Sequence, residues 1–244
     1  MIRFILVIAF VILFLILSIP VILVELLIGK FNPDLKNKQC LGIVQWAFRV
    51  ILWMAGVKVT TIGEENIPVG EPVLYVGNHR SYFDILITYV RVKGLTGYMS
   101  KMEVKRIPLL RDWMKALHCQ FIDRTDVKQG LKVILDCIEL IKTGISVCVF
   151  PEGTRNREEG TFLPFHEGSF KIATKTNCAI VPMTLNNAGA IFEDHIPYVK
   201  KTHVVLEYGK PIYPKDLSKE ELKHVGSYVQ NIIMETHEKN KALV

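Results

Sequence analysis

The chain has 244 residues, of which 50% are hydrophobic, and it carries a formal net charge of +6. This length suits one domain of ordinary size, with residues to spare for a membrane segment. The five cysteines are odd in number and include no C-x-x-C pair, which argues against a disulfide framework and against a zinc site. Mean hydropathy is +0.26, which is high for a soluble protein, and most of the excess lies at the N-terminus.

The first predicted element is a membrane helix over residues 4–24. This run has no charge and is interrupted only by Ser18 and Pro20. At about 1.5 Å per residue, a helix of that length crosses a hydrocarbon core of about 30 Å. A secretory signal peptide is the alternative, but its apolar region is usually about 7–15 residues long and ends at a small-x-small cleavage site. Of the basic groups that flank this run, more follow it than precede it. This asymmetry predicts that the rest of the chain faces the cytoplasm.

A second apolar stretch, residues 40–59, predicts an interfacial helix. Trp46, Arg49 and Trp53 fall at helical spacings, so one side of this helix could rest among lipid headgroups with its polar atoms near water. A core helix of the following domain is the alternative. We favour the interfacial helix because the preceding segment already holds it close to lipid. Residues 1–62 are therefore predicted to form a membrane anchor with an interfacial helix, and residues 63–244 the main domain.

From residue 63 onward, short apolar runs alternate with longer periodic ones, which predicts an α/β fold. We expect a largely parallel or mixed sheet flanked by helices. The predicted strands are 72–78, 96–100, 119–123, 146–150, 179–185 and 203–209. The predicted helices are 82–92, 106–117, 128–142, 166–176 and 219–240.

The stretch VGNHRSYFD, residues 76–84, has two interpretations. In the first, Ser81 and Asp84 form a capping box at the start of a helix, which needs no chemistry and leaves His79 unexplained. In the second, His79 at the carboxyl end of a strand is a general base, and Asp84 fixes its tautomer and stabilises the imidazolium. This segment alone does not separate the two interpretations.

A second candidate site follows the predicted strand 146–150, where the chain reads Pro151-Glu152-Gly153-Thr154-Arg155. A turn of this kind can expose backbone N–H groups, and the planar guanidinium of Arg155 suits two phosphate oxygens. As a lone motif this is a weak signal, because a charged loop after a strand often contains these residue types. Cys148 precedes the turn inside an apolar strand, so we expect a buried and inert thiol there.

Together these motifs resemble those of the 1-acyl-glycerol-3-phosphate acyltransferases. That family shares a His-x-x-x-x-Asp motif and a Phe-Pro-Glu-Gly-Thr-Arg motif, which stand here intact at residues 79–84 and 150–155. Two further blocks match in order: residues 100–108 followed by FIDR at 121–124, and AIVPMTL at 179–185. The likeness extends from about residue 60 to residue 230. Four ordered motifs over such a span are far more specific than either of the first two alone.

The resemblance implies a glycerolipid acyltransferase bound to the membrane, with its catalytic domain on the cytoplasmic face. It would transfer a fatty acyl group from acyl-CoA or acyl carrier protein to the sn-2 hydroxyl of lysophosphatidic acid, forming phosphatidic acid in phospholipid biosynthesis. No metal, other cofactor or nucleic acid is implied, and the positive net charge favours anionic lipid and an acidic donor. The implied catalytic residues are His79 and Asp84, and the implied substrate-binding residues are Lys101, Arg124, Glu152, Gly153, Thr154 and Arg155.

One segment departs from the family pattern. Where the family often has Phe-Lys-x-Gly, this chain has Phe165-His166-Glu167-Gly168, and we interpret His166 as a surface histidine. Two alternatives to the implied function stay open. The acceptor could be glycerol 3-phosphate or another lysolipid, or the chain could be a catalytically silent protein that binds membrane lipid.

Overall fold

The computed structural model describes residues 1–158 and 160–244, and in them the chain forms nine α-helices and seven β-strands. The helices are α1 Ile2–Leu17, α2 Ile19–Phe31, α3 Pro33–Ala55, α4 Phe83–Tyr89, α5 Leu110–Ala116, α6 Val127–Lys142, α7 Lys171–Thr176, α8 Lys219–Lys223 and α9 Val225–Asn240. The strands are β1 Lys58–Ile62, β2 Leu74–Gly77, β3 Thr96–Lys101, β4 Gln120–Ile122, β5 Ser146–Val149, β6 Ile180–Asn186 and β7 His203–Tyr208.

The strands form one mixed sheet in the order β1-β7-β6-β2-β5-β3-β4. Every neighbouring pair is parallel except β6 and β7, which are antiparallel. All six predicted strands are confirmed, and so is the α/β fold class. The sequence analysis did not predict β1, which pairs with β7 at the edge of the sheet and lies inside the range assigned to the N-terminal anchor.

Helices cover both faces of the sheet. The carboxyl ends of β2, β5 and β6 therefore lie side by side at one uncovered end of the sheet. Along β2, Leu74 and Val76 pack into one core with α6, α7 and α9, whereas Tyr75 packs into the other with α3, α4 and α5. A parallel strand buried on both faces reads as a continuous apolar run, which is why residues 73–76 contain no polar side chain apart from the tyrosine hydroxyl. The segments that follow β2, β5 and β6 are then free to form a site.

The predicted membrane helix is divided into α1 and α2, with a bend of 48° at the break. Pro20 lies in the first turn of α2, where its ring cannot donate the backbone hydrogen bond that would continue α1. Ser18, at the break, accepts a hydrogen bond of 2.8 Å from the indole Nε1 of Trp113 in α5. Among the described residues no single helix is long and apolar enough to cross a bilayer, although α1 and α2 pass that test as a bent pair.

Helix α3 begins before the predicted range 40–59, ends within it at Ala55, and has two different sides. On its inner side, Gln45 Nε2 donates to the carbonyl oxygens of Tyr89 and Val92 at 3.2 and 3.0 Å. The prediction that polar atoms of this helix lie near headgroup water is therefore wrong for Gln45, whose amide bonds to backbone carbonyls, whereas Arg49 is exposed. On its outer side Trp46 and Trp53 are exposed. The alternatives of core helix and interfacial helix therefore describe opposite sides of one element.

The outer side of α1 and α2 is an exposed apolar surface, which we call the apolar helix face. Its side chains are not covered by any described part of the chain, although the inner side of α1 packs against α3 and α5. Exposed apolar patches of this extent are uncommon on monomeric soluble proteins and mark interaction surfaces. The face comprises Ile2, Ile5, Leu6, Ile8, Ile12, Leu13, Ile16, Leu17, Ile19, Leu23, Val24, Leu26, Leu27 and Phe31.

Candidate active site

The site begins with Asn78, which extends the pairing of β2 and β6 beyond their last backbone contact. Its side chain forms a reciprocal pair with the backbone of Leu185: Asn78 Nδ2 donates to the Leu185 carbonyl, and the Leu185 N–H donates to Asn78 Oδ1, each at 2.9 Å. The amide therefore takes the place of a backbone ladder where the chain leaves the sheet. This fixes the point at which His79 emerges.

The carboxylate of Asp84 holds the His79 ring and the turn in front of α4. Asp84 is fully buried, and its Oδ2 atom lies 2.9 Å from His79 Nδ1. The same oxygen accepts the backbone N–H groups of Arg80 and Ser81, each at 2.7 Å. Since a carboxylate only accepts, Nδ1 carries the ring proton and Nε2 carries a lone pair. The sequence predicted this pair, and the structure brings the two side chains together.

The capping interpretation and the predicted contact between His79 and Asp84 describe one arrangement. Asp84 does reach back to the N–H of Ser81, as a capping box requires, but Ser81 Oγ accepts from Phe83 N rather than from Asp84. Because the capping contact and the contact with His79 use the same oxygen, forming the start of α4 also orients the imidazole. The helix start and the base are a single unit.

Glu152 joins the two motifs through their backbones. Its Oε1 accepts the N–H of His79 at 2.7 Å, and its Oε2 accepts the N–H of Leu163 at 3.0 Å. The side chain is buried, and desolvation raises the pKa of the carboxyl group, while the two backbone donors lower it in part. A contact with substrate stays a prediction, whereas the structure gives Glu152 a direct hold on the backbone of His79.

Phe150 and Cys148 complete the wall behind the base. The ring of Phe150 stacks on the His79 imidazole with centroids 4.4 Å apart, which limits rotation of the histidine. Cys148 lies in β5, fully buried, and burial raises the pKa of its thiol. A protonated and inaccessible thiol is a poor nucleophile, in keeping with the inert role expected for it.

The turn after β5 places Gly153 between two basic side chains. Gly153 has φ +77°, and a Cβ there would lie 3.1 Å from His166 Nε2 and 3.2 Å from Arg124 Cζ. Partial burial lowers the pKa of the Arg124 guanidinium, an effect that Glu103 opposes. The N–H of Gly153 donates within the turn to Phe150 O at 3.0 Å. His166, interpreted from the sequence as a surface histidine, is exposed but borders this turn.

Arg155 lies at the N-terminal end of α4, beside Tyr82. Its guanidinium carbon is 3.5 Å from the centroid of the Tyr82 ring, and its Nη1 donates to Glu193 Oε1 at 3.0 Å. The stacked ring and the carboxylate hold the plane of the guanidinium. The side chain is still 27% exposed, so a ligand can approach it.

The remaining predicted residues are placed less tightly. Lys101 ends β3, is exposed, and aligns with Ile122 two residues before Arg124, so it lies at the same edge of the sheet. Its ammonium group has no hydrogen bond or ion pair with any described residue. Thr154 is exposed at the tip of the turn. The structure therefore brings His79, Asp84 and Glu152 into direct contact. Arg155 reaches the base motif through Tyr82 and Glu193, and Arg124 lies beside Gly153.

Two residues in the site were not predicted. Asn156 donates its N–H to the carbonyl of His79 at 2.8 Å, so the backbone of His79 is held on both sides. Glu193, from the connection between β6 and β7, contacts Arg155 together with Ser81 and Tyr82. Asn156 directly follows the arginine motif and could have been suspected. Glu193 could not, because it belongs to none of the four matched blocks.

Comparison with known proteins supports the same class of enzyme. The profile of the Acyltransferase family matches residues 58–186, more than half of the chain. A 1-acyl-sn-glycerol-3-phosphate acyltransferase of Borreliella burgdorferi is 30% identical over 186 residues, which cover 76% of this chain and 74% of that protein. The chain therefore belongs to the acyltransferase family that includes the 1-acyl-sn-glycerol-3-phosphate acyltransferases, and the resemblance seen in the motifs is confirmed.

Two further relatives match different fractions of this chain. A chloroplastic 1-acyl-sn-glycerol-3-phosphate acyltransferase of Arabidopsis thaliana is 36% identical over 135 residues, covering 55% of this chain and only 37% of the plant protein. The crystal structure of the 1-acyl-sn-glycerophosphate acyltransferase of Thermotoga maritima superimposes with a TM-score of 0.82, covering 99% of this chain and 95% of that one at 23% identity. This last likeness establishes the fold, including the N-terminal helices.

Proposed function

We propose that this chain transfers a fatty acyl group from acyl-CoA or acyl carrier protein to the sn-2 hydroxyl of lysophosphatidic acid, giving phosphatidic acid. The observation that carries the proposal is the contact of 2.9 Å between His79 Nδ1 and the buried Asp84. It leaves Nε2 as the proton acceptor on the side of the ring away from Asp84. Membership of the acyltransferase family and the arginines near this base agree with a phosphorylated acceptor.

The reaction needs one base and no enzyme-bound acyl group, because a thioester is already activated. His79 Nε2 takes the proton of the sn-2 hydroxyl as its oxygen attacks the thioester carbonyl carbon. The tetrahedral intermediate then expels the thiolate by breaking the carbon–sulfur bond, and the imidazolium returns the proton to that sulfur. Asp84 stabilises the imidazolium between these steps, and general-base catalysis of this kind contributes about 10²–10⁴ to the rate.

The headgroup of the acceptor would be held by the cations around the turn after β5. Arg155 stacks on Tyr82 of the base motif, Arg124 lies beside Gly153 in the turn, and Lys101 lies at the same sheet edge. The backbone N–H groups of Thr154 and Arg155 have no acceptor among the described residues, so they are additional donors for a phosphate or for the oxyanion. Glycine at position 153 keeps the space between Arg124 and His166 open.

Membrane association is supported by the apolar helix face together with the exposed Trp46 and Trp53 of α3. Burying such a face in lipid is favourable by about 25 cal/mol per Å² of apolar surface removed from water, and tryptophans favour the interface. Both the acceptor and the product are bilayer lipids, so this placement brings the site to its substrate. The water-soluble donor would then arrive from the cytoplasm, where the positive charge near the anchor orients the domain.

A panel of acceptors, assayed with acyl-CoA and separately with acyl carrier protein as the donor, tests the proposal. Purified protein in lipid vesicles would be given lysophosphatidic acid, glycerol 3-phosphate and other lysophospholipids, with His79→Ala as the inactive control. We expect lysophosphatidic acid to be acylated at sn-2 and the control to be inactive. Acylation of glycerol 3-phosphate alone would replace the proposed acceptor, and no turnover of any acceptor with either donor would favour the silent lipid-binding protein.

A further inference from the structure

Glu193 connects the acceptor-binding arginine to the base motif. Its Oε2 accepts the hydroxyl of Ser81 at 2.5 Å, and its Oε1 accepts both the N–H of Tyr82 at 2.8 Å and Nη1 of Arg155 at 3.0 Å. The carboxylate is 10% exposed, so these contacts are little screened by water. One side chain from the connection between β6 and β7 thus engages both motifs.

These contacts continue to the imidazole through Ser81. The Ser81 hydroxyl donates to Glu193, and the Ser81 N–H donates to Asp84 Oδ2, the oxygen that also contacts His79 Nδ1. An unbroken path of hydrogen bonds therefore runs from Arg155 through Glu193, Ser81 and Asp84 to the base. Ser81 and Asp84 are fully buried and Glu193 is largely so, and hydrogen bonds in such a region are stronger than in water, which favours one arrangement of these three side chains.

Arg155 keeps part of its donor capacity while Glu193 holds it. Only Nη1 has an acceptor among the described residues, so Nε and Nη2 remain available to a ligand. Tyr82 covers one face of the guanidinium, and its backbone N–H is fixed by the same carboxylate. The free edge of the guanidinium is consequently presented in a defined direction.

We infer that Glu193 is a positioning residue that sets the distance between the cation that binds the acceptor's phosphate and the base that deprotonates its hydroxyl. The inference rests on the proposed function, since it needs an acceptor that carries both groups. An acceptor whose phosphate and hydroxyl match this spacing places the hydroxyl at His79 Nε2 when its phosphate meets Arg155. Preorganisation of this type lowers the cost of forming the reactive complex.

The opposite role for Glu193 is also chemically reasonable and makes the inference testable. A carboxylate beside Arg155 could compete with the substrate phosphate, in which case removing its charge would tighten acceptor binding. Positioning predicts the reverse, because an arginine released from Glu193 loses its fixed direction. The two roles thus differ in the sign of the change in KM for the acceptor.

The experiment compares Glu193→Ala, Glu193→Gln, Arg155→Ala and the double variant Glu193→Ala/Arg155→Ala in lipid vesicles. Steady-state kinetics with lysophosphatidic acid would give KM and kcat separately, and thermal unfolding would report folding. Glu207→Gln is a matched control, because Glu207 is a carboxylate of similar burial, 13% exposed, that pairs with Lys239. Gln at position 193 keeps the shape and an acceptor oxygen but removes the charge.

We expect Glu193→Ala to raise KM for the acceptor about tenfold, the scale of one lost charged hydrogen bond. Glu193→Gln should give a smaller rise at an unchanged unfolding temperature, and the matched control should leave KM unchanged. In the Arg155→Ala background, Glu193→Ala should raise KM no further, because it acts through that arginine. If Glu193→Ala does not fold, Glu193→Gln alone still decides the sign.

A fall in KM in either Glu193 variant, or a rise of equal size with and without Arg155, would overturn the inference. A lowered unfolding temperature with unchanged KM would overturn it as well, since that is the signature of a purely structural contact. The wild-type acceptor panel is a separate arm. If the wild type prefers another phosphorylated acceptor, the proposed substrate fails, while the positioning role is still measured with the acceptor that is used.

Discussion

The proposed base, His79, and the cations proposed to bind the headgroup lie at the same edge of the sheet, but their surroundings differ. His79 is held by the Asp84 carboxylate, by a stacked Phe150 ring, and through its backbone by Glu152 and Asn156. The cationic side chains have fewer polar partners than His79. Lys101 has no polar partner among the described residues, and Arg155 uses one of its three nitrogens.

The difference follows from what each group must do. A base transfers a proton only if its lone pair already points at the hydroxyl, so its orientation is determined before substrate arrives. A cation that binds phosphate must keep donors unsatisfied until the phosphate supplies the acceptors. Substitutions on the base side should therefore change kcat, and those on the cation side should change KM.

The largest expected effect is that of His79→Ala, which should lower kcat by at least about 10³ because no other group takes the proton. The fold should be retained, since the Nδ1 contact is only one of those that hold Asp84. Single-turnover acyl transfer measured with purified protein checks this. Activity within tenfold of the wild type would show that another residue is the base.

Asp84→Asn should come next, with kcat lowered about 10²–10³ by loss of the negative charge and of the correct tautomer. Asparagine keeps an oxygen that can accept from Arg80 and Ser81, so α4 should still form. Asp84→Ala removes that acceptor too and should also cost about 0.5–2 kcal/mol of stability, the usual value of a helix cap. Kinetics combined with thermal unfolding separate the two losses; a destabilised Asp84→Ala with normal kcat would favour the capping interpretation alone.

Arg155→Ala should raise KM for lysophosphatidic acid about tenfold and change kcat less than threefold. The reason is that the proposed contact of Arg155 with the phosphate would be made in both the ground state and the transition state. Initial rates over a range of acceptor concentrations measure both constants. A drop in kcat with unchanged KM would place Arg155 on the base side of the comparison.

Lys101→Ala should have the smallest effect, a rise in KM of about threefold or less, because an exposed ammonium group is strongly screened. Its contribution should shrink further as salt is added, whereas that of Arg155 should persist. Measuring KM at low and high ionic strength for both variants tests the ranking. A salt-insensitive loss in Lys101→Ala would show that substrate buries this side chain.

Much of the fold was readable from the pattern of apolar runs, and the exceptions have physical causes. The six predicted strands stand out as apolar runs, whereas β1, with the sequence KVTTI, contains a lysine and two threonines and follows α3 after only two residues. The bend between α1 and α2 was missed because hydropathy reports composition and not direction. Pro20 was the available signal, since proline cannot continue the backbone ladder of the preceding helix.

The catalytic pair was predictable because its members are five residues apart and one tight turn brings them together. The contacts of Glu193 were not, because 112 residues separate it from Ser81 and the antiparallel return of β7 decides where its loop lies. Glu152 was predicted as a site residue, but its hydrogen bond with the His79 N–H depends on β2 and β5 being neighbours, which the sequence does not reveal. Contacts within a short motif can be predicted from the sequence, whereas contacts between distant segments depend on the topology of the sheet.

Helix α1 does more than contribute to the apolar helix face, since its first turn touches the loop that carries Glu193. The ring of Phe4 stacks on that of Phe192 with centroids 5.5 Å apart, one residue before the carboxylate. At the other end of α1, Trp113 of α5 bonds to Ser18 at the bend. Removing the N-terminal helices to obtain a water-soluble enzyme would thus remove a contact of the loop that carries Glu193. Crystallisation or screening should therefore retain these helices, in detergent or nanodiscs.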